Sequence, residues 1–185
     1  MSVRSALLSI LTLGPCYGLQ LAGEFERRTG GAEPLRDAQV YTTLDRLERD
    51  GAVRALAKDD SGRVRYELTR EGRREAERWL ASPVAAETSG ARDELALKLT
   101  LAATLPGADL AGVMAAQREA ARAALEALAG AEPDDALDRV VLARRRTALE
   151  AELDWLDEAS RILAHVSPFP LAPPPKRGRK ARHAE

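Results

Sequence analysis

The spacing of apolar residues predicts that most of this chain is helical, and the pattern is clearest between Asp37 and Gly51. At 100° per residue, Val40, Leu44 and Leu47 fall on one side of a helix, which predicts a narrow buried face. Asp37 is suited to cap the first turn, because its carboxylate can accept from free amides. Gly51 is suited to end the last turn, because glycine adopts positive φ without strain.

Three more helices are predicted in the first half of the chain. The first covers about residues 3–13 and ends at Gly14-Pro15, and the second covers about residues 17–28. The other follows at residues 70–81, with Thr69 as its cap. The predicted inward residues are Ala6, Leu7, Ile10, Leu11 and Leu13 in the first helix, Leu19, Leu21, Ala22 and Phe25 in the second, and Ala76, Trp79 and Leu80 in the last.

The outward face of the helix at 37–51 carries small or hydrogen-bonding side chains first and charged ones later. Gln can pair with adenine, Thr offers a hydroxyl and a methyl group, and Arg can bind guanine or phosphate. We therefore interpret this face as a candidate DNA-reading surface, with a surface helix of any globular domain as the alternative. Its residues are Ala38, Gln39, Thr42, Asp45, Arg46 and Arg49, and the neighbouring Thr43 is included among the predicted DNA contacts.

After Gly51 the period changes from that of a helix to that of a strand. Residues 63–68 alternate strictly between charged and apolar, and residues 52–57 are the predicted partner strand across a loop at 59–62. Three helices followed by a β-hairpin is the winged helix-turn-helix arrangement. Lys58, Arg63 and Arg65 near the hairpin tip suit a phosphate backbone or a minor groove, although alternating Arg is also common on exposed strands.

The second half is predicted to form three helices, at about 92–105, 108–129 and 134–165. In the last of these, an apolar seam recurs every seven residues, at Val141-Leu142, Ala148-Leu149, Trp155-Leu156 and Ile162-Leu163. The predicted dimerisation residues are its leucines Leu142, Leu149, Leu156 and Leu163. Such a helix would be roughly 45–50 Å long, more than a small domain can cover. We therefore expect a second subunit on the seam, with packing inside one chain as the alternative. A symmetric dimer would match a palindromic DNA site.

The predicted fold class is mainly α, with an N-terminal winged helix-turn-helix that has a small β-hairpin wing and a C-terminal long-helix dimerisation domain. The expected boundaries are a DNA-binding domain at 1–82, a linker at 83–91, a helical dimerisation and effector domain at 92–166, and a disordered, basic, proline-rich tail at 167–185.

Charge is distributed unevenly, which the net value of −1 conceals. Residues 1–82 hold 14 Lys and Arg against 13 Asp and Glu, residues 83–167 hold 9 against 15, and residues 168–185 hold 5 against 1. The tail resembles an AT-hook around Arg177-Gly178-Arg179, although Lys180 stands where the hook has proline. A nonspecific basic tail is the alternative. The predicted tail contacts with DNA are Lys176, Arg177, Arg179, Lys180 and Arg182.

Composition and motifs argue against an enzyme. The single cysteine, Cys16, excludes an internal disulfide, and we find no zinc spacing, phosphate-binding glycine loop or nucleophile motif. No cofactor or metal is therefore expected. No apolar run reaches the ~20 residues of a membrane span, and we expect a cytoplasmic protein. A winged-helix module for protein interaction or dimerisation, without sequence-specific DNA binding, is the alternative function.

Residues 5–165 resemble the PadR family of bacterial transcriptional regulators. The resemblance rests on Val-Tyr at 40–41 followed by Leu44, on Leu-Glu-Arg-Asp-Gly at 47–51, and on Arg-Tyr-Glu-Leu-Thr-Arg-Glu-Gly at 65–72. Glu-Leu-Ala-Leu-Lys-Leu at 94–99 and Trp-Leu at 155–156 look like the first and last C-terminal helices of the family. The chain departs from the family at 17–19, where Tyr-Gly-Leu stands in place of His-Gly-Tyr.

The resemblance implies a homodimer with interlocked C-terminal helices that reads a palindromic operator, usually as a repressor. It implies that Tyr41 helps to contact or brace DNA, although core packing is an equal alternative by geometry. It also implies that a small aromatic or drug-like effector lowers DNA affinity. Trp79 and Trp155 are the candidates to line its pocket, with ordinary core packing as the alternative.

Overall fold

The computed structural model describes residues 2–31, 34–85, 94–131, 133 and 135–175, and confirms a mainly helical winged helix-turn-helix fold with one small sheet. The chain divides into two compact units: unit 1 comprises Met1–Glu77 and the segment that begins at Phe169, and unit 2 comprises Arg78–Pro168. The helices are α1 (Ser2–Leu11), α2 (Gly18–Thr29), α3 (Asp37–Arg49), α4 (Arg70–Ala81), α5 (Glu94–Thr104), α6 (Leu110–Ala129) and α7 (Ala136–Leu163), and the strands are β1 (Cys16–Tyr17), β2 (Val53–Ala55) and β3 (Arg65–Leu68).

The core of unit 1 lies between the first three helices. Val40, Leu44 and Leu47 are all fully buried, which confirms the predicted inner face of α3. The prediction for α2 was wrong at Leu19, whose side chain is 47% exposed. The reason is that α2 also buries a polar stripe, including Glu24 and Arg28, so that its inward face is turned relative to the one that apolar residues alone define.

The two ends of α3 differ in how well they were predicted. Arg36 occupies the N-cap position without a side-chain hydrogen bond, so Asp37 is the first helical residue and not the cap. Its carboxylate still lies in the first turn, where negative charge favours the helix. At the other end Gly51 has φ of 71°, as predicted for the residue that ends the helix.

The sheet has three antiparallel strands in the order β1-β3-β2. The hairpin of β2 and β3 confirms the predicted wing, and Gly62 in its loop has φ of 75°. β1 was not predicted, because two residues carry no periodic signal. Its pairing of Cys16 with Tyr66 and of Tyr17 with Arg65 joins the start of α2 to the wing.

The start of α4 is joined closely to the hairpin. The Thr69 hydroxyl accepts from the Gly72 amide at 3.1 Å, which confirms the predicted cap. A β-carbon at Gly72 would lie 1.9 Å from the carbonyl oxygen of Ala52, so only glycine fits at this position. Gly72 therefore permits the close approach of α4 to the backbone at Ala52, the residue before β2.

The core of unit 2 is formed by α5, α6 and α7. Its buried cluster includes Leu95, Leu99, Met114 and Leu156. Gln117 is also buried, and its amide donates to the Val84 carbonyl at 3.0 Å and to the Glu152 carboxylate at 2.7 Å. In the described part of the chain no helix is both long and apolar enough to cross a membrane.

The segment after α7 differs from the prediction of a disordered tail at 167–185. Its first part is described to residue 175, and Phe169 and Ala172 contact α2 through a cation–π interaction and hydrogen bonds. Sequence reasoning missed this because the partners of the segment are charged residues of α2 that a helical pattern assigns to solvent.

Candidate nucleic-acid interface

The outward face of α3 is open to solvent. Gln39, Thr42, Arg46 and Arg49 are all exposed, whereas Thr43 is half-buried. The buried face of the same helix fixes its rotation, so these side chains project together from unit 1. The outward residues therefore form a surface that can enter a groove.

The two threonines of α3 already use their hydroxyl protons. Thr42 donates to the Ala38 carbonyl at 2.8 Å, and Thr43 donates to the Gln39 carbonyl at 2.7 Å. Each hydroxyl oxygen can still accept, and each methyl group remains available for apolar contact. Among the outward residues of α3, Gln39 and Arg46 carry the hydrogen-bond donors best suited to base edges, an amide and a guanidinium.

Tyr41 lies at the edge of this face, and its side chain is 41% exposed. A β-carbon built on Gly18 would lie 2.7 Å from Tyr41 Cε1. The ring thus packs over the bare backbone at the start of α2 and is not part of the core. Sequence reasoning left both positions open for Tyr41, and the glycine beneath the ring was the signal that could have decided between them.

A network centred on Asp59 holds the base of the wing loop. Asp59 accepts from the Ser61 hydroxyl at 2.7 Å, from the Arg63 amide at 2.9 Å and from the Tyr17 hydroxyl at 2.7 Å. These hydrogen bonds, that of Ser61 foremost, lower the pKa of the Asp59 carboxyl below its ordinary value. The same contact with Asp59 raises the pKa of Tyr17. Tyr17, in the strand that was not predicted, is therefore a functional candidate that sequence reasoning missed.

The three basic residues predicted at the wing differ in their surroundings. Lys58 and Arg65 are exposed. Arg63 is drawn back, because its guanidinium pairs with Asp59 at 3.2 Å and lies 4.4 Å from the centre of the Tyr17 ring. Arg63 therefore braces the wing, and Lys58 and Arg65 are better placed to meet phosphate.

Further contacts hold the wing and α3 as one piece. The Glu48 carboxylate accepts from the Ala55 amide at 3.1 Å and so joins α3 to β2. Arg4 of α1 pairs with Asp50 after α3 and, at 2.7 Å, with Glu75 of α4. The reading helix α3 is thus held to the hairpin by Glu48 and, at its C-terminal end, to α1 by Arg4.

The residues predicted for dimerisation are divided between a core and a surface. Leu149 and Leu156 are buried within their own chain, with 4% and 0% exposed, while Leu142 and Leu163 are half-buried. The most exposed apolar residues of α7 are Leu137, Val140, Val141 and Ile162. Val141 and Ile162 belong to the predicted seam.

The two tryptophans proposed to line an effector pocket are not among the residues that line the described cleft of unit 2. The Trp79 indole donates to Glu94 at 2.8 Å, and Trp155 is 38% exposed on α7. The cleft has a volume of about 290 Å³. It is lined by Pro83, Val84, Ala85, Gln117, Ala120, Ala121, Ala124, Leu149 and Glu152.

Several predictions fall on residues that the structure does not describe. Lys176, Arg177, Arg179, Lys180 and Arg182 lie outside the described residues, as do residues 86–91 of the expected linker. Among the residues that are described, no group of three or more His, Cys, Asp or Glu side chains could hold a metal ion.

An exposed polar helix beside a β-wing, on a three-helix core, is the architecture of a winged helix-turn-helix protein. Comparison with known proteins gives the family: residues 7–78 match the transcriptional regulator PadR-like family, and residues 91–164 match the C-terminal region described as virulence activator alpha. A probable transcriptional regulator of Mycobacterium tuberculosis, Rv1176c, is 31% identical over 88% of this chain and 98% of its own length. The chain therefore belongs to the PadR-like family of transcriptional regulators, which are not enzymes.

The solved structures that match this chain are more distant in sequence. Bacillus subtilis PadR in complex with operator DNA is 22% identical over 89% of this chain and 97% of its own, with a TM-score of 0.41. The same protein in complex with p-coumaric acid is 19% identical over 89% and 100%, with a TM-score of 0.41. The Vibrio cholerae virulence activator AphA is 21% identical over 88% and 98%, with a TM-score of 0.38.

Proposed function

We propose that this chain is a repressor that binds a palindromic operator as a homodimer and is released by a small aromatic or drug-like molecule. The observation that carries the proposal is the division of α3 into a fully buried apolar face and an exposed face with Gln39, Thr42 and Arg46. Membership of the PadR-like family supports it.

Within this proposal the interface residues have separate roles. Gln39, Thr42 and Arg46 read base edges, because amide, hydroxyl and guanidinium groups match the donor and acceptor pattern of the major groove. Tyr41 braces α3 from its position over Gly18. The remaining basic residues, Arg49 of α3 and Lys58 and Arg65 of the wing, bind phosphate and set the register.

Dimerisation is supported by the exposed apolar side chains of α7. Leu137 and Val140 are 75% and 68% exposed, and both lie in the first half of this helix. Exposed apolar patches of this kind favour a partner, and a second copy of the chain supplies a matching one. A two-fold dimer presents two copies of α3, whose half-sites lie about 34 Å apart on one face of B-DNA.

The cleft of unit 2 is the proposed effector site. Alanine and aliphatic side chains suit an aromatic ring, while the Glu152 carboxylate, held in place by the Gln117 amide, provides a polar group that orients a ligand. An effector bound there acts by changing the spacing of the two reading helices. A shift of a few ångströms is enough to take one helix out of its groove.

The test is selection of bound fragments from the genome of the host, followed by footprinting of the selected site. We expect an inverted repeat with half-sites about 10 base pairs apart and binding that weakens steeply with salt. Reporter expression from the site should rise when the gene for this chain is deleted. Failure to enrich any site, or binding without sequence preference, would contradict the proposal.

A further inference from the structure

Glu24 and Arg28 of α2 form an ion pair inside unit 1. Arg28 Nε lies 2.9 Å from Glu24 Oε2, and the Arg28 and Glu24 side chains are 0% and 1% exposed. Burial lowers the pKa of Arg28, and Glu24 opposes this effect. Buried charges are tolerated where further hydrogen bonds satisfy their remaining donors and acceptors.

The segment at 169–172 provides such hydrogen bonds. The Ala172 amide donates to Glu24 Oε1 at 2.9 Å, and Arg28 Nη2 donates to the Phe169 carbonyl at 3.0 Å. Gln20, one turn earlier on α2, donates to the Ala172 carbonyl at 2.7 Å. The backbone of the segment therefore binds a row of polar side chains on α2, Gln20, Glu24 and Arg28, which lie four residues apart on one face of the helix.

The side chain of Phe169 adds a second kind of contact. Its ring centre lies 4.0 Å from the Arg27 guanidinium carbon and 4.4 Å from that of Arg28, which is the geometry of a double cation–π interaction. Arg27 also donates to the Pro170 carbonyl at 2.8 Å. The aromatic residue is thus held by the same two arginines that bind the backbone beside it.

The sequence of the segment explains why it binds in an extended form. It reads Ser-Pro-Phe-Pro-Leu-Ala-Pro-Pro-Pro at 167–175. Proline fixes φ and lacks an amide proton, so these residues cannot form a helix and their carbonyls remain free to accept. A segment that is already extended loses little conformational entropy when it docks.

We propose that residues 169–172, which we call the strap, restrain unit 1 by tethering it to the end of α7. The chain passes from unit 1 to unit 2 after Glu77 and returns after Pro168. With the strap docked, α2 is connected to Leu163 by six residues, Ala164 to Phe169, which span at most about 20 Å. A second tether of this length narrows the range of orientations open to the DNA-reading unit.

The first experiment measures strap docking without DNA. Phe169→Ala in the full chain should accelerate hydrogen exchange of the Ala172 amide at least tenfold. Without the Phe169 ring the strap detaches more often, and each detachment exposes the Ala172 amide to water. Val166→Ala removes an apolar side chain three residues earlier and should leave this rate unchanged. Arg27→Gln, which keeps the buried Glu24 and Arg28 pair, should give a smaller acceleration. An unchanged Ala172 rate in Phe169→Ala would overturn the docking.

The second experiment measures the restraint. Nitroxide labels at Asp45→Cys on α3 and Arg122→Cys on α6 report one intrachain distance when labelled chains are diluted with unlabelled ones. Cys16 is buried, which raises the pKa of its thiol to about 12, and it should escape labelling. The distance distribution should widen in Phe169→Ala and not in Val166→Ala. A released strap with an unchanged distribution would overturn the restraint.

The consequence for DNA rests on the proposed function. A dimer whose reading units are less restrained should bind its operator about fivefold more weakly. The reason is that the units, no longer restrained before binding, must lose this conformational entropy when they bind DNA. If the wild-type chain binds no operator, the proposed function fails, and the exchange and distance measurements still decide the strap. If Phe169→Ala widens the distance distribution and binds DNA as tightly as wild type, the restraint stands and its role in DNA binding is refuted.

Discussion

The ring of Tyr41 on α3 lies directly over Gly18, so close that a β-carbon at position 18 would be 2.7 Å from Tyr41 Cε1. This contact joins the two helices of the helix-turn-helix at the edge of the candidate DNA surface. Because 41% of the Tyr41 side chain is exposed, its position matters more for what the surface can bind than for the stability of the core.

Gly18→Ala should therefore move the Tyr41 ring, at a cost in the free energy of unfolding of about 1–3 kcal/mol at most. We expect operator affinity to fall about tenfold, measured by fluorescence anisotropy, because the brace on α3 is displaced. Gly23→Ala on the same helix is the matched control, since nothing lies within 4 Å of a β-carbon there. The control should stabilise the fold by about 0.5–1 kcal/mol and bind normally. Wild-type affinity in Gly18→Ala would contradict the role of Tyr41.

The Asp59 network predicts an acid-sensitive wing. A carboxyl whose folded pKa is lowered stabilises the folded state above its ordinary pKa of about 3.9, and the stabilisation is lost as pH falls through the lowered value. Urea unfolding between pH 7 and pH 3 should therefore lose less stability in Asp59→Asn than in wild type. By carbon-detected NMR, Ser61→Ala should raise the pKa of Asp59 more than Tyr17→Phe does, in the order of their contributions. Equal pH dependence in wild type and Asp59→Asn would refute this role.

Base reading and phosphate binding can be separated at Arg46 and Lys58, both of which are exposed. Arg46→Ala should lower affinity for the operator by about 1–3 kcal/mol and relax the preference at one base position. Lys58→Ala should weaken all sequences alike and reduce the salt slope by about one. Binding to a panel of single-base variants at several salt concentrations measures both effects. A uniform loss in both variants would show that α3 does not read bases.

Two residues of α7 distinguish dimerisation from folding. Val140 is 68% exposed and Leu156 is fully buried in the core of unit 2. Val140→Glu should yield a folded monomer in sedimentation equilibrium, because it places a charge in the proposed interface. Leu156→Ala should lower the free energy of unfolding by about 2–5 kcal/mol through the cavity it leaves. If Val140→Glu dimerises with the affinity of the wild type, the first half of α7 is not part of the dimer interface.

The basic cluster at 176–182 can be removed without touching the strap. Deletion of residues 176–185 should weaken DNA binding and make its salt dependence shallower by about 0.9 for each phosphate that the shortened chain no longer neutralises. Deletion of residues 169–185 should have the additional effects predicted for loss of the strap. Unchanged affinity and unchanged slope after the shorter deletion would show that the cluster does not contact DNA.

Periodic features of this fold could be predicted from sequence. The inner face of α3 follows from Val40, Leu44 and Leu47, and the hairpin follows from alternation and from Gly62. These features depend on residues close together in the chain, so local spacing contains the necessary information. The exposed reading face of α3 can be predicted from the same residues, because a helix that buries one face exposes the opposite face to solvent.

Contacts between distant segments could not be predicted in this way. Glu24 and Arg28 are charged and would ordinarily face solvent, and only their pairing with each other and with a segment more than 140 residues away explains their burial. In α7 the heptad seam is divided: Leu156 packs into its own chain, whereas Val141 and Ile162 of the same seam are exposed. A seven-residue repeat specifies an apolar stripe but does not say which molecule covers it.

The strap also affects the order in which the protein matures on the ribosome. Most of the DNA-reading unit is synthesised first, yet it receives Phe169 and Ala172 only after the whole of unit 2 has been translated. Until then Glu24 and Arg28 lack the backbone partners that the strap supplies, and a nascent chain halted after α7 carries an unfinished α2 surface. Final assembly of the N-terminal unit is thus delayed until the unit that follows it in the chain has been made.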